Sequence, residues 1–249
     1  MAWYSERRSG LRLPAAFLAT VLLTFPVSLC LASPEAESEE SVELVSKYLD
    51  ATRTQADVLR GVQMEVDIDA KLPKLEKHGK LRALRRISRL GRITYKGLGF
   101  SGDSTIKDEV ITRYLSADTE SRDSSATART PANYKFHFKG VTELEGRRIA
   151  VFQLTPKKKV VGLFKGELWL DRETGMPVRE SGFFVKNPSV FLKKIQFVQE
   201  YEIRDGVAFP KHIESTVDTR IVGRAELTIN FSNFTQEAVE DADSLAGGQ

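Results

Sequence analysis

Cysteine is almost missing from this chain. Its one cysteine, Cys30, lies in the apolar N-terminal stretch. Once that stretch is removed, a disulfide, a thiolate metal site and a cysteine nucleophile are all excluded. Histidine is scarce: His78, His137 and His212 are far apart in sequence, and none has a second ligand at metal-binding spacing. A Gly-x-Ser-x-Gly elbow is lacking, which argues against a serine nucleophile of that type. The glycine-rich run at 97–102 lacks the phosphate-binding lysine and a following apolar helix. Strand–helix–strand alternation is lacking too, which argues against a parallel sheet. Charge is nearly balanced. The formal +3 falls by two, to +1, without residues 1–32, which carry Arg7, Arg8 and Arg12 against Glu6. That leaves no concentrated basic face, so no nucleic-acid partner is expected. Neither a metal nor a cofactor is expected, and no catalytic residue is assigned.

The N-terminus has the build of an export signal. Arg7, Arg8 and Arg12 precede an uncharged run at 13–32, which ends Cys30-Leu31-Ala32, with small residues at −3 and −1 of a cut before Ser33. The expectation is a signal peptide at 1–32 and an exported, periplasmic or envelope-associated protein. Retention as a membrane anchor and lipidation at Cys30 are the alternatives. Residues 33–40 form an acidic leader, and 235–249 form a flexible acidic tail.

Between them the pattern is mainly β. A helix is expected at about 40–60, with Val42, Val45 and Leu49 on one stripe, Leu44, Tyr48 and Ala51 beside it, and Gly61 as its stop. Val62, Met64, Val66, Ile68 and Ala70 then alternate with polar residues, the period of a half-buried strand. Two strands around Gly91 follow, made irregular by Arg82, Arg85, Arg86 and Arg89. Residues 105–117 suit a short helix, and the polar segment 118–131 suits an exposed loop. The second half alternates throughout, with turn signals at Glu145-Gly146, at 172–175, at Asp205-Gly206 and at Gly223. The fold class expected is mainly β (α+β): one antiparallel domain over 41–234, built as a sequential meander.

Two groups of residues stand out as candidate sites. Phe136, Phe138, Phe152, Trp169, Phe183, Phe197 and Phe209 could line an apolar cavity on a sheet whose face is incompletely covered. Lys157, Lys158, Lys159 and Phe164, with Phe191, Lys193 and Lys194, join lysines to apolar residues and could form a rim that meets a membrane surface. A hydrolase assembled from Glu167, Asp171 and His212 is the remaining chemical possibility.

The segments GELWLDRETGMPVRESGFF (166–184), EYEIRDGVAFPKHIES (200–215) and AELTINFSNF (225–234) follow an export signal and an amphipathic helix. This order resembles the outer-membrane lipoprotein-sorting proteins of the LolA/LolB-like fold. The resemblance implies a strongly curved antiparallel half-barrel, with helices in its mouth, that holds a lipid or a lipoprotein acyl chain without catalysis. A monomer is expected, with transient contact between the lysine-bearing rim and an anionic membrane surface. An envelope interaction or stress-sensing module of the same fold, RseB/MucB-like, is the alternative.

Overall fold

The computed structural model describes residues 34–120 and 125–236. The expected export signal lies outside them, as do residues 121–124 of the polar segment and 237–249 of the tail.

Ten strands form one sheet: β1 (Val62–Leu72), β2 (Lys77–Ile87), β3 (Ile93–Gly102), β4 (Tyr134–Leu144), β5 (Arg147–Pro156), β6 (Phe164–Asp171), β7 (Pro177–Phe184), β8 (Leu192–Arg204), β9 (Val207–Thr219) and β10 (Arg224–Gln236). Their spatial order is β3-β2-β1-β10-β9-β8-β7-β6-β5-β4. Every pairing is antiparallel. The chain is therefore an up-and-down meander whose first strand pairs with its last. The break falls between β3 and β4, so the sheet stays open with those two strands as edges. Ten strands with the ordinary inter-strand twist cannot lie flat, and the result is a curved half-barrel.

Local chemistry sets the hairpins. Glu145 and Gly146 have φ of 51° and 76°, and Asp205 and Gly206 have 50° and 75°. Two left-handed residues in succession make the turn whose twist matches the flanking strands.

Alternation fixes two faces. Val62, Met64, Val66, Ile68, Ala70 and Leu72 are all buried, while the residues between them are polar. The inner face is covered by helices. The first, α1 (Pro34–Val58), buries Leu44 and Tyr48 against β4–β6 and donates a hydrogen bond from Gln55 Nε2 to the Ala208 carbonyl of β9 at 2.8 Å. Of the stripe expected, Val45 and Leu49 are half-buried against the same core, whereas Val42 is 69% exposed. Tyr48 decides the rotation, because its ring packs at a tilt 6.5 Å from Phe136 and its area outweighs that of a valine.

A second helical stretch runs continuously over 104–120. It is α-helical at Ser104–Ile106 (α2), makes one π turn at Lys107–Ile111, and is α-helical again at Thr112–Glu120 (α3). Asp103 caps its start by accepting from the Thr105 amide at 2.8 Å. Ile106 and Ile111, both fully buried, press it onto β1 and β2. Its far end is tied by Asp118, which accepts from Arg85 Nε at 3.0 Å and from the Tyr95 hydroxyl at 2.8 Å. This explains the irregular arginine pattern of β2. Arg82 faces outward and pairs with Glu65, whereas Arg85 turns inward and holds α3.

Stability below neutral pH depends partly on Asp171, at the end of β6. Its carboxylate is buried and accepts from the Thr174 amide (2.8 Å), the Thr174 hydroxyl (3.0 Å) and Arg147 Nη1 (3.2 Å). Burial pushes its pKa up, but the bonds from Thr174 and Arg147 outweigh this and hold it below the ordinary aspartate value. A depressed folded-state pKa gives stability that is present above the unfolded value and is lost as pH falls through the folded one. Asp171→Asn is expected to cost about 2 kcal/mol at pH 7. The gap to the unsubstituted protein should close toward pH 2 in denaturant titrations. A gap that stays constant with pH would contradict this role.

Candidate functional site

The inner face carries two separate cores. One joins β1 and β10 to the 104–120 helix. The other joins β4, β5 and β6 to α1. They meet across β8 and β9, where the inward residues are half-buried: Ile195, Phe197 and Gln199 on β8, and Ile213, Ser215 and Val217 on β9, with Phe197 packed against the α1-side core and Ile213 and Val217 against the other. The register places these side by side, Ile195 opposite Val217, Phe197 opposite Ser215 and Gln199 opposite Ile213. Among the inward positions of β8 and β9, one reaches full burial, Ala208. The middle of the half-barrel is thus a seam of half-buried residues, apolar except for Gln199 and Ser215, where the two cores meet, with the small Ser215 at its centre.

A polar cluster borders the seam on the β7 side. Glu180 alternates inward with Val178 and is 3% exposed. Arg129, on the segment leading into β4, reaches it with Nη2 at 3.0 Å and Nε at 3.2 Å. Burial raises the hydroxyl pKa of Tyr48 and Tyr201 above the ordinary range, and the Glu180 carboxylate adds to it. Tyr134 shifts the same way, mainly by burial, and its hydroxyl accepts from the Phe164 amide at 3.2 Å. These are neutral phenols around an ion pair. The Glu180 carboxylate holds Arg129 more firmly cationic than usual. The arrangement fastens residues 125–133 onto the sheet and offers no activated nucleophile. It also corrects the view of 118–131 as an exposed loop, since Asp118 and Arg129 at its two ends are both bound to the sheet.

The seven aromatic candidates divide. Phe136, Phe138, Phe152 and Phe197 belong to the α1-side core, linked ring to ring at 6.2 Å (Phe136–Phe152) and 5.5 Å (Phe138–Phe152). Phe209 packs in the other core, 4.8 Å from Phe234. Trp169 and Phe183 lie on the outer face, where Arg179 sits 5.1 Å over the Trp169 ring and Lys194 5.6 Å over Phe183. Strand parity accounts for this: Trp169 lies between the inward Leu168 and Leu170.

The rim candidates divide as well. Lys157, Lys158, Lys159, Phe191, Lys193 and Lys194 are exposed, and Lys157 donates to the Pro131 carbonyl at 2.5 Å. Phe164 is 1% exposed and is not at the rim. It opens β6 and packs edge-on to Phe197 at 5.0 Å, and the stretch before it has already turned inward at Leu163.

The hydrolase candidates are not brought together. Glu167 accepts from Lys139 and from Trp169 Nε1 on the outer face, Asp171 is occupied as described, and His212 lies on β9 with Asn230 and Glu214. Strands β7 and β8 intervene between β6 and β9, a span of roughly 14 Å. Among the described residues no group of three or more histidine, cysteine or acidic side chains could hold a metal ion. Two open clefts, of about 540 Å³ and 320 Å³, lie around Asp67, Lys80 and Arg82 and around Lys139 and Trp169, both on the outer face.

Sequence reasoning missed the seam itself, the inward Glu180 and the reach of Arg129. Glu180 was detectable, because Val178, Gly182 and Phe184 share its parity. Arg129 was not, since the contact spans 51 residues.

No protein-family model matches the chain, and no curated protein matches it. Solved structures do. A DUF1329 family protein from Desulfovibrio piger is 15% identical, with 81% of this chain and 95% of that one covered and a TM-score of 0.38. A LolA superfamily protein from Nitrosomonas europaea is 14% identical, with 80% and 94% covered and a TM-score of 0.37. An outer membrane lipoprotein-sorting protein domain from Vibrio parahaemolyticus is 12% identical, with 81% and 97% covered and a TM-score of 0.36.

Proposed function

We propose that this is an envelope protein that carries a lipid or a lipoprotein acyl chain along the inner face of its half-barrel. The observation that supports this reading is the β8–β9 seam, a row of mostly apolar inward residues left half-buried where the two cores meet. Burying it against an acyl chain would yield about 0.8 kcal/mol per methylene removed from water. The site needs no cofactor, and its polar border fixes the cover without chemistry. Location in the envelope follows from the basic, apolar and small-residue order of residues 1–32.

Gln55 of α1 is bonded to Ala208 of β9 and Arg129 is tied to Glu180, so the reading requires these covers to yield on loading. Protein purified from its own host without detergent should release lipid on solvent extraction, detected by mass spectrometry at near-stoichiometric amounts. Protein free of lipid that also fails to bind a fluorescent fatty acid would contradict the proposal.

A further inference from the structure

We propose that one end of the half-barrel is a docking surface for an anionic lipid bilayer. In an up-and-down sheet alternate connections fall at the same end. The β1–β2, β5–β6, β7–β8 and β9–β10 connections all lie at the end where β4 begins and β3 finishes. Their tips expose large apolar side chains: Leu75 (42%), Val160 (38%), Val161 (41%), Val190 (79%), Phe191 (57%) and Ile221 (69%). The opposite end exposes Leu90 (92%) on its β2–β3 connection and Leu144 (38%) at its β4–β5 turn.

These tips form one continuous ridge. The Val185 amide donates to the Leu163 carbonyl at 3.0 Å, joining the β7–β8 and β5–β6 loops. The Arg220 amide and Nε donate to the carbonyls of Phe191 and Val190 at 2.9 and 2.8 Å, joining the β9–β10 and β7–β8 loops. Gly223 lies against the Lys74 side chain of the β1–β2 connection.

Charge decides the occupant. The same four connections carry Lys74, Lys157, Lys158, Lys159, Lys186 and Arg220 against one acidic residue, Glu76. Apolar tips among lysines suit an interface of acyl chains beneath anionic head groups, where each nearby basic residue adds attraction. A protein groove would have to match both the apolar ridge and its cationic border. The ridge also runs into the seam, because Leu192, next to Phe191, and Thr219, two residues before Ile221, are paired just beyond Ile195 and Val217. The inference rests on the loops and stands whether or not the seam holds an acyl chain.

The test places a polarity-sensitive fluorophore on the full chain carrying Cys30→Ser and one new thiol, at Phe191→Cys, Ile221→Cys or, at the opposite end, Leu90→Cys. Vesicles of equal phosphatidylglycerol and phosphatidylcholine should shift the emission of the labels at 191 and 221 to the blue and leave that at 90 unchanged. Reading the loops directly keeps any contribution of residues 13–32 apart. Lys158→Gln, Lys159→Gln and Lys186→Gln together should weaken this response about a hundredfold at low salt. Several outcomes would overturn the proposal: no shift at 191 and 221, an equal shift at 90, or a lysine variant with unchanged response. So would a shift that appears without vesicles and grows with protein concentration, which would mark a second copy as the occupant. Vesicle docking by a protein that takes up no acyl probe would keep this surface and remove the carrier reading.

Discussion

Gly166→Ala is expected to lower the unfolding free energy by about 3 kcal/mol, the upper range for overpacking in a core. Gly166 of β6 and Gly182 of β7 are direct register partners. A methyl group on Gly166 would lie 2.6 Å from the Gly182 Cα and would strike the Ser181 carbonyl oxygen. On Gly182 it would lie 2.8 Å from the Gly166 Cα. Backbone atoms cannot step aside as the end of a flexible side chain can. The pair lets β6 and β7 approach closely beneath Phe197, next in register to Gly182, and so shapes the sheet where the seam begins. A loss of this size shifts the melting temperature of a domain this large by roughly 10 °C. Gly97→Ala and Gly99→Ala on the edge strand β3, where an added methyl group meets nothing within 4 Å, should be nearly neutral. Equal effects at all four glycines would remove the argument.

Much of this architecture was legible in the residues. Period-two alternation and the Glu145-Gly146 and Asp205-Gly206 turns define the hairpins, because both signals are local. The irregular arginines of β2 were not legible, since Arg85 faces inward to meet an aspartate 33 residues away. The rotation of α1 was legible in part: Leu44 and Tyr48 are buried and Val45 and Leu49 pack beside them, but Val42 is exposed, because Tyr48 found its partner, Phe136, across the fold. The aromatic candidates show a similar limit. Abundance of phenylalanine indicates a large apolar face, but parity within each strand decides which face, and Trp169 fell on the outer one. The seam was invisible from sequence. It is defined by where two covers stop, and no residue of β8 or β9 carries that information.

Ser215→Trp is expected to weaken acyl-chain binding about a hundredfold while leaving the fold intact. Ser215 faces inward, opposite Phe197 on β8 and Leu227 on β10, and its side chain is the smallest among the inward residues of the seam. An indole there would displace roughly four methylenes of a bound chain at about 0.8 kcal/mol each, or about 3 kcal/mol. The neighbouring Thr216 points to the other face by strand parity. Thr216→Trp should therefore leave binding unchanged. If both variants bind normally, the chain is not held along β9; if both lose binding equally, the loss reflects damage to the sheet rather than an obstructed seam.

The central claim is that an acyl chain occupies the inner face along β8 and β9. A fatty acid with a photoreactive group midway along its chain tests it most directly. After irradiation and digestion, adducts should fall on peptides spanning 192–204 and 207–219, at inward positions such as Phe197, Ile213 and Val217, and unlabelled fatty acid should suppress them. Adducts confined to the outer face, around Trp169 or Lys80, or no adduct that competitor suppresses, would contradict the account.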